Sequence, residues 1–204
     1  MKLILLSDQS LKLTGPRDQE VLRQWTGKKS PTIGYVPAAP DPRGRYADEK
    51  AAYYDALGLG PLQILDPDAD LSESDLAAFF KVDVIHLGSG LVAPFATRLQ
   101  QSGLDQRLVD FARRKVLLGV SAGAMVMGQT FYSAKLCGEK HSDTNWCGLG
   151  LVDFEILPHW DEVFVTQDPI VAFARKQNIT IHSLKDGDRV LVNGKKVSIE
   201  RASS

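Results

Sequence analysis

Cysteine is scarce in this sequence, which has only Cys137 and Cys147 among 204 residues. Two thiols that do not form a Cys-x-x-Cys pair exclude a disulfide framework, and reduced thiols are the simpler interpretation. A long hydrophobic run is also missing at the start of the chain. The apolar stretch from Leu3 to Leu6 is interrupted by Ser7 and Asp8, so it is too short for a signal-peptide core or a membrane span. We therefore expect a cytoplasmic protein whose first apolar run is a β-strand.

An excess of charge of either sign is absent as well, because 24 lysines and arginines balance 25 aspartates and glutamates. A formal net charge of -1 gives no general attraction to nucleic acid or to an anionic membrane. A small molecule or short peptide is therefore the expected partner. The length suits one domain, spanning residues 1–204, with a sizeable core, and the sequence leaves open whether this domain forms a homodimer.

Short apolar runs alternate with amphipathic stretches, which predicts parallel strands joined by helical crossovers. The predicted strands are 3–6, 33–36, 62–65, 82–87, 116–120, 149–157 and 179–182. The predicted helices are 18–25, 48–57, 72–80, 94–101, 105–113 and 169–176. Ser72 with Asp75 is typical of a helix N-terminal cap, and Asn193-Gly194 within 190–199 predicts a β-hairpin. Together these patterns predict an α/β fold, a three-layer sandwich with a mainly parallel central sheet and a C-terminal β-hairpin.

Two polar segments fall where such a fold places loops. Residues 38–45 follow the second predicted strand and should lie at the carboxyl edge of the sheet, where loops commonly bind ligands. Arg43 and Arg45 in this loop are candidate substrate-binding residues, with solvated surface arginines as the alternative. Residues 128–147 are polar and irregular, and we expect them to form a partly ordered loop that covers the site.

The covering loop also contains Cys137, His141 and Cys147, three residue types that bind metals. Their spacing matches no usual zinc arrangement, so a polar loop is the simpler account. The sequence therefore predicts chemistry without a metal and without a cofactor.

The most informative segment is Gly119-Val120-Ser121-Ala122-Gly123, where an apolar run breaks and continues as small, helix-compatible residues. The Gly-x-Ser-x-Gly pattern predicts a nucleophile elbow, a tight strand-to-helix turn that presents one hydroxyl at the positive end of the following helix. Gly119 and Gly123 fit this turn because side chains there would collide where the strand and the helix nearly touch. Ser121 is therefore the candidate nucleophile.

A serine hydroxyl is a poor nucleophile at neutral pH, so Ser121 needs a base and a carboxylate that orients the base. Four histidines are available. His86 lies within a predicted strand, His141 in the covering loop and His182 in a late strand. His159 directly follows a proline at a predicted strand end, which should lie at the same sheet edge as Ser121. Position therefore favours His159 as the base.

Three segments together resemble the peptidase E and cyanophycinase family of serine peptidases: Gly119 to Ala124, Gly148 to Val152, and Pro158-His159. The likeness extends over most of the chain and is more selective than Gly-x-Ser-x-Gly alone. It implies a fold like that of the class I glutamine amidotransferases, and a serine peptidase in which His159 is the base. In those amidotransferases the elbow carries cysteine, whereas this chain has Ser121, which argues against ammonia transfer from glutamine.

The resemblance also points to Asp186 as the third member of a catalytic triad. Family members have an acidic residue followed by glycine before the last hairpin, and Asp186-Gly187 stands in that place. This chain has aspartate where the dipeptidases of the family have glutamate, so an ordinary turn aspartate is the competing interpretation. Asp143 and Glu139, both in the covering loop, are the alternatives for the acid.

The oxyanion hole should use the backbone N–H of Ala122 and a second N–H from a glycine-rich turn. A glycine-rich loop after the fourth strand has this role in the family, and Gly88 and Ser89 are the candidates here. Leu91-Val92 replaces a pair that is usually polar in the family, which should make the pocket more apolar.

Strict cleavage next to an aspartate is not expected. The aspartyl dipeptidases of the family have a basic loop after the histidine, whereas residues 160–168 of this chain contain no arginine or lysine. We expect a serine peptidase that hydrolyses short peptides through an acyl-enzyme, in the manner of a dipeptidase, with Ser121, His159 and Asp186 as its triad.

Two other functions stay open. A small α/β-hydrolase esterase shares the elbow, but its chain order is serine, acid, histidine, and the span between Ser121 and His159 is too short for the usual intervening strand and helix. The non-enzymatic alternative is a binding domain of the same fold that is catalytically impaired.

Overall fold

The computed structural model describes residues 1–140, 145–163 and 166–202. The strands in these ranges are β1 (Lys2–Leu6), β2 (Ile33–Val36), β3 (Leu62–Ile64), β4 (Val84–Leu87), β5 (Val116–Val120), β6 (Glu155–Leu157), β7 (Ile181–Ser183), β8 (Arg189–Asn193) and β9 (Lys196–Glu200). The helices are α1 (Gly15–Thr26), α2 (Arg45–Ala56), α3 (Glu73–Phe79), α4 (Val92–Gln101), α5 (Leu104–Ala112), α6 (Ala122–Met125), α7 (Trp160–Val163) and α8 (Asp168–Gln177), with a 3₁₀ turn at Tyr132–Lys135. No helix within these ranges combines the length and the apolar character needed to cross a membrane.

The central sheet has the strand order β3-β2-β4-β5-β1-β8-β9. The strands from β3 to β1 in that order pair in parallel, whereas β8 pairs antiparallel with β1, and β9 pairs antiparallel with β8. β6 and β7 form a separate parallel pair. Because β1 lies between β5 and β8, its carboxyl end borders both the end of β5 and the start of β8.

Helices cover both faces of the central sheet, as alternate residues of β1 show. Leu3 and Leu5 join a core that includes residues from α3, α4, α5 and α6, while Ile4 and Leu6 join a second core with residues from α1 and α2. All four side chains are fully buried, as expected for an apolar strand in a sheet covered on both sides. The protein is therefore a three-layer α/β sandwich with a mainly parallel central sheet.

Local signals in the sequence account for two element ends. The Ser72 hydroxyl accepts the N–H of Asp75, and the Asp75 carboxylate accepts the N–H of Ser72, so the predicted cap of α3 is confirmed. The C-terminal hairpin is also confirmed, with Asn193 as the last residue of β8. Gly194 opens the two-residue turn with a φ of 64°, which a glycine adopts at little cost.

The long strand predicted over 149–157 is wrong, because only β6 at its end is a strand. The residues before β6 fold back onto the chain that follows α6: the Leu149 N–H donates to the Val126 carbonyl oxygen and the Gly150 N–H to the Gly128 carbonyl oxygen. Gly150 adopts a φ of 65°, which is incompatible with extended strand geometry. Backbone bonds to a neighbouring turn have replaced the strand pairing that the apolar pattern predicts.

Candidate active site

The site lies where neighbouring strands end at the carboxyl edge of the central sheet, the edge at which open α/β sheets bind ligands. β4, β5 and β1 are adjacent in the sheet, and Gly88, Ser121 and Ser7 directly follow them. β8 runs antiparallel to β1, so the turn that precedes β8 reaches the same edge. That turn carries Asp186, which brings residues from both ends of the chain to one place.

The backbone turns sharply at Ser121, between β5 and α6. Ser121 has a φ of 51° and a ψ of −110°, a conformation that residues other than glycine rarely adopt. A Cβ on Gly119 would lie 2.2 Å from the Gly123 carbonyl oxygen, and a Cβ on Gly123 would lie 2.1 Å from the Leu87 carbonyl oxygen. Only glycine fits at either position. The Ser121 N–H donates to the Leu6 carbonyl oxygen at 2.9 Å, which holds the turn against the end of β1.

The structure joins His159 to Asp186. Nδ1 of His159 lies 2.5 Å from Oδ1 of Asp186, so the ring and the carboxyl group share a short hydrogen bond. Because the carboxylate accepts, Nδ1 carries the hydrogen of the neutral ring and Nε2 is left as an acceptor. The two side chains are 32% and 38% exposed, so a substrate can reach the imidazole.

Ser121 and His159 are both held at the end of β1. The Leu6 carbonyl oxygen accepts the Ser121 N–H, and the next residue, Ser7, accepts the His159 N–H on its hydroxyl at 2.9 Å. Within the described ranges, the half-buried Ser121 hydroxyl makes no hydrogen bond to His159 or to another group. Contacts between a nucleophile and its base are often long without substrate and shorten when substrate binds.

Sequence reasoning missed Ser7 and Asp8, which follow β1. The Ser7 hydroxyl lies 3.2 Å from Oδ1 of Asp186, and the Asp8 carboxylate accepts the N–H of Gly187 in the same turn. Burial raises the pKa of the Asp8 carboxyl, the Gly187 N–H lowers it, and the nearby Asp186 carboxylate raises it again. The available signal was their position, since two polar residues directly after a buried parallel strand lie at the ligand-binding edge.

The loop after β4 and the start of α6 each carry a backbone N–H group that is not used within the described part of the fold. Among the described residues, the N–H groups of Ala122 and Ser89 have no hydrogen-bond acceptor. The Gly88 carbonyl oxygen accepts the Gly123 N–H at 3.1 Å, which fixes the loop after β4 to the start of α6. The Gly88 N–H is already used, because it donates to the Val36 carbonyl oxygen at 2.9 Å as a continuation of the β2–β4 pairing.

The alternative acids lie in other surroundings. The Glu139 carboxylate accepts the N–H groups of Val92 at 2.9 Å and Ala93 at 3.1 Å, where it caps the start of α4. Asp143 lies outside the described residues. Of the predicted acids that the structure describes, Asp186 is the one with a hydrogen bond to the His159 ring.

Arg43, in the loop after β2, and Arg45, which the structure places at the first position of α2 and not in the loop, are both on the surface. The Arg45 side chain is 76% exposed, pairs with Glu49 at 3.2 Å and lies over the ring of Tyr46. Arg43 is exposed as well. The structure places neither of them in contact with Ser121, His159 or Asp186.

Comparison with known proteins identifies the chain. The model of peptidase family S51 matches residues 3–200. The chain belongs to this family. The resemblance drawn from the sequence is thereby confirmed, and the protein is a serine-type peptidase.

Individual relatives agree with the family assignment. An uncharacterized peptidase of Listeria monocytogenes serovar 1/2a is 26% identical over 189 residues, which cover 84% of this chain and 87% of that one. An uncharacterized peptidase of Listeria innocua serovar 6a is 24% identical over 186 residues, with 84% and 85% covered. The crystal structure of a protein described provisionally as a peptidase E, from Listeria monocytogenes EGD-e, matches 99% of this chain and 98% of its own at a TM-score of 0.74 and 21% identity. This likeness confirms the fold.

The cysteines of this S51 peptidase lie in the segment before β6. Cys137 and Cys147 are free thiols on exposed residues. His141 lies outside the described residues. Among the residues that are described, no group of three histidine, cysteine or acidic side chains is arranged to hold a metal ion.

A second histidine of this S51 peptidase, His86, lies on β4 close to the same edge but is fully buried. Its Nδ1 is 2.9 Å from the hydroxyl of Tyr54, and its ring packs edge-on against Tyr35 and Tyr54. Its Nε2 is buried without a hydrogen-bond partner among the described groups. Burial holds the pKa of His86 well below its ordinary value of 6.5, and the nearby Lys50 ammonium lowers it further. Burial therefore favours the neutral form of His86.

Proposed function

We propose that this S51 peptidase hydrolyses short peptides, in the manner of a dipeptidase, through an acyl-enzyme formed on Ser121. Ser121 is the nucleophile, His159 the general base and Asp186 the acid that orients it. The N–H groups of Ala122 and Ser89 form the oxyanion hole, because the N–H of Gly88, the other candidate, is taken up by Val36.

The observation that carries this proposal is the short bond from the His159 ring to Asp186 at the edge where the chain turns at Ser121. A carboxylate on Nδ1 selects the tautomer in which Nε2 can accept a proton, and it stabilises the imidazolium that forms. The unusual φ and ψ of Ser121 support the elbow assignment, since the backbone there is held in a strained conformation by the close approach of β5 and α6. Both features are those of a serine hydrolase.

The reaction then proceeds in two stages, acylation of Ser121 and hydrolysis of the acyl-enzyme. The Ser121 oxygen attacks the peptide carbonyl carbon as Nε2 of His159 takes the hydroxyl proton, and the two N–H groups bind the oxyanion. When the C–N bond breaks, His159 gives that proton to the leaving amine, which leaves the acyl group on Ser121. Water, deprotonated by His159, attacks the acyl ester and releases the acid product. Ser121 recovers its proton from His159.

The preference for short substrates rests on the segment that precedes β6. The 3₁₀ turn at Tyr132–Lys135 is fixed to β6, because the buried Glu155 carboxylate accepts the N–H groups of Tyr132 and Ser133. The same segment is fixed to α4 through Glu139, next to the loop that carries Ser89. Residues 132–139, held at both ends close to the loop that carries Ser89, would restrict entry of a folded protein.

A serine-reactive fluorophosphonate tests the nucleophile. We expect wild-type protein to be labelled and Ser121→Ala to stay unlabelled, with unchanged circular dichroism as evidence of folding. His159→Gln should be labelled much more slowly, because the hydroxyl loses its proton acceptor. If the wild-type protein is not labelled, or if Ser121→Ala is labelled equally, a binding domain without catalysis becomes the better account.

A peptide library tests the substrate class. Dipeptides and tripeptides of varied sequence should be hydrolysed by the wild-type protein and left intact by Ser121→Ala. Casein should be a poor substrate under the same conditions. Rapid hydrolysis of casein would contradict the proposed limit on substrate size, and hydrolysis of simple esters but of no peptide would favour an esterase.

A further inference from the structure

Ser7 connects the three segments that carry the proposed catalytic groups. Its side chain is fully buried. Its hydroxyl oxygen accepts the backbone N–H of His159 at 2.9 Å and lies 3.2 Å from both Oδ1 of Asp186 and the carbonyl oxygen of Leu184. A serine hydroxyl has one hydrogen and two lone pairs, so one lone pair accepts the His159 N–H and the single hydrogen is available to the two acceptor oxygens.

The backbone of His159 needs such a restraint. His159 has a φ of 51°, in the left-handed region that costs energy for a residue with a side chain. Such a conformation persists only where the surroundings determine it, and the bond from its N–H to Ser7 is one of the contacts that do so. Trp160, the next residue, donates its N–H to the Leu184 carbonyl oxygen, the same atom that Ser7 approaches.

The Ser7 hydroxyl also restrains the Asp186 carboxylate. Oδ1 of Asp186, the oxygen that accepts from the His159 ring, also faces the Ser7 hydroxyl as a donor. A second donor on that oxygen limits rotation of the carboxylate. Ser7 is itself held beside Ser121, because Leu6, its neighbour in the chain, accepts the Ser121 N–H.

We propose that Ser7 is a positioning residue for the peptidase reaction. Its hydroxyl fixes the position of the His159–Asp186 pair relative to Ser121. It does not touch the substrate; it acts by fixing the backbone of the base and the bonded oxygen of the acid. This inference rests on the proposed function, since it assigns Ser7 a role only if that pair serves Ser121.

The test compares Ser7→Ala with Ser133→Ala. Ser133 is the matched control, because it is also fully buried and its hydroxyl donates to a backbone carbonyl, that of Ile156, without contact to Ser121, His159 or Asp186. Ser7→Ala loses an accepted and a donated hydrogen bond, whereas Ser133→Ala loses one donated bond, so both should lower Tm, Ser7→Ala by more. We expect Ser7→Ala to lower kcat about 10- to 100-fold with little change in KM, since a small misplacement of a catalytic group has an effect of this size. Ser133→Ala should keep the wild-type kcat.

Two further variants separate the hydroxyl from the space it fills. Ser7→Cys keeps nearly the same volume but offers only a weak donor and acceptor, so it should lose activity as Ser7→Ala does. Ser7→Thr keeps the hydroxyl and should recover most of the rate. Wild-type activity in Ser7→Cys would show that packing alone matters and would overturn the proposal.

A spectroscopic measurement tests the role of Ser7 without relying on catalytic activity. The proton between His159 Nδ1 and Asp186 should give a far-downfield ¹H resonance, assigned by its loss in His159→Gln, that Ser7→Ala weakens or shifts and Ser133→Ala leaves in place. If the wild-type protein is inactive towards fluorophosphonate and peptides, the proposed function fails, and this resonance still decides whether Ser7 positions the pair. If the wild-type protein is active and Ser7→Ala matches Ser133→Ala in kcat and in this resonance, only the role of Ser7 is overturned.

Discussion

Two histidines lie near the carboxyl edge of one sheet in opposite environments. His159 is one-third exposed and bonded to a carboxylate, with its backbone fixed by Ser7. His86 is fully buried, and its one hydrogen-bond partner among the described groups is the hydroxyl of Tyr54. Both are imidazoles, but only one has a neighbour that stabilises a positive charge. The site is therefore defined by charge compensation and access rather than by residue type.

The surroundings of His86 do not suit a catalytic base. Protonation of His86 would place a charge between two tyrosines near the Lys50 ammonium, which is why burial and Lys50 both lower its pKa. A base that must accept a proton during each turnover cannot work in such a place. His86 instead fills the layer between β4 and α2, where its ring and that of Tyr54 pack together.

Replacing His159 and His86 in turn tests this difference most directly. His159→Gln should lower kcat by roughly 10⁶-fold, because subtilisin loses about that much without its base. His86→Gln should keep kcat/KM near the wild-type value, although it should lower Tm. Kinetics with the best peptide of the library, measured well below both melting temperatures, check this. An equal loss of activity in the two variants would show that the distinction drawn here is wrong.

Neutralisation of the carboxylate beside His159 tests the assignment of Asp186 as the acid. Asp186→Asn should lower kcat by roughly 10⁴-fold, since an amide at this position favours the wrong tautomer of the ring. Asp8→Asn is the matched control, because Asp8 bonds to the adjacent Gly187 N–H but not to the imidazole. We expect a much smaller effect from that change. If Asp186→Asn were active and Asp8→Asn inactive, the acid assignment would have to move to Asp8.

The sequence was enough to select the candidate residues, but it did not predict which groups those residues contact. Glycines around Ser121 and a proline before His159 are local signals, and they were sufficient to select those two residues. The assignment of Asp186 depended on the family resemblance, because the turn before β8 has no local pattern that distinguishes it from other turns.

Contacts that depend on strand register could not be predicted. The use of the Gly88 N–H by Val36 follows from how β2 and β4 align, and apolar runs alone do not specify that alignment. The contact between Ser7 and His159 joins residues 152 positions apart, each at the end of a different strand. The strand predicted over 149–157 failed for a different reason, since backbone bonds to the turn after α6 replaced strand pairing there.

The pH dependence of folding stability tests the neutral state of His86. Below pH 6.5 the unfolded chain binds a proton at His86 that the folded chain does not, so stability falls as the pH is lowered towards the depressed folded pKa. A single group contributes about 1.4 kcal/mol per pH unit in that window. Urea unfolding at pH 7 and pH 5 should therefore show a smaller loss of stability in His86→Gln than in wild type.

His182→Gln is the control for this measurement. Burial lowers the pKa of His182 as well, with Arg201 as a second cause, but this side chain is only partly buried. Its removal should change the pH dependence in the same direction and by less. A pH dependence in His86→Gln equal to that of wild type would mean that His86 is protonated in the folded state or exposed to solvent.

The bond between Tyr54 and His86 gives the smallest expected effect. Tyr54→Phe removes the hydroxyl that lies 2.9 Å from Nδ1 and leaves that nitrogen unpaired in the core, which should cost about 1 to 2 kcal/mol of unfolding free energy. In a double-mutant cycle with His86→Phe, the combined loss should be less than the sum of the single losses by about 1 kcal/mol, because the second change removes the unpaired atom. Equilibrium urea unfolding at pH 7 measures all four corners of the cycle. Strict additivity would show that the two groups do not interact, and then the packing of the ring against its aromatic neighbours alone would hold His86 in place. Throughout the cycle kcat should stay near wild type, since His86 takes no part in the proposed proton transfers.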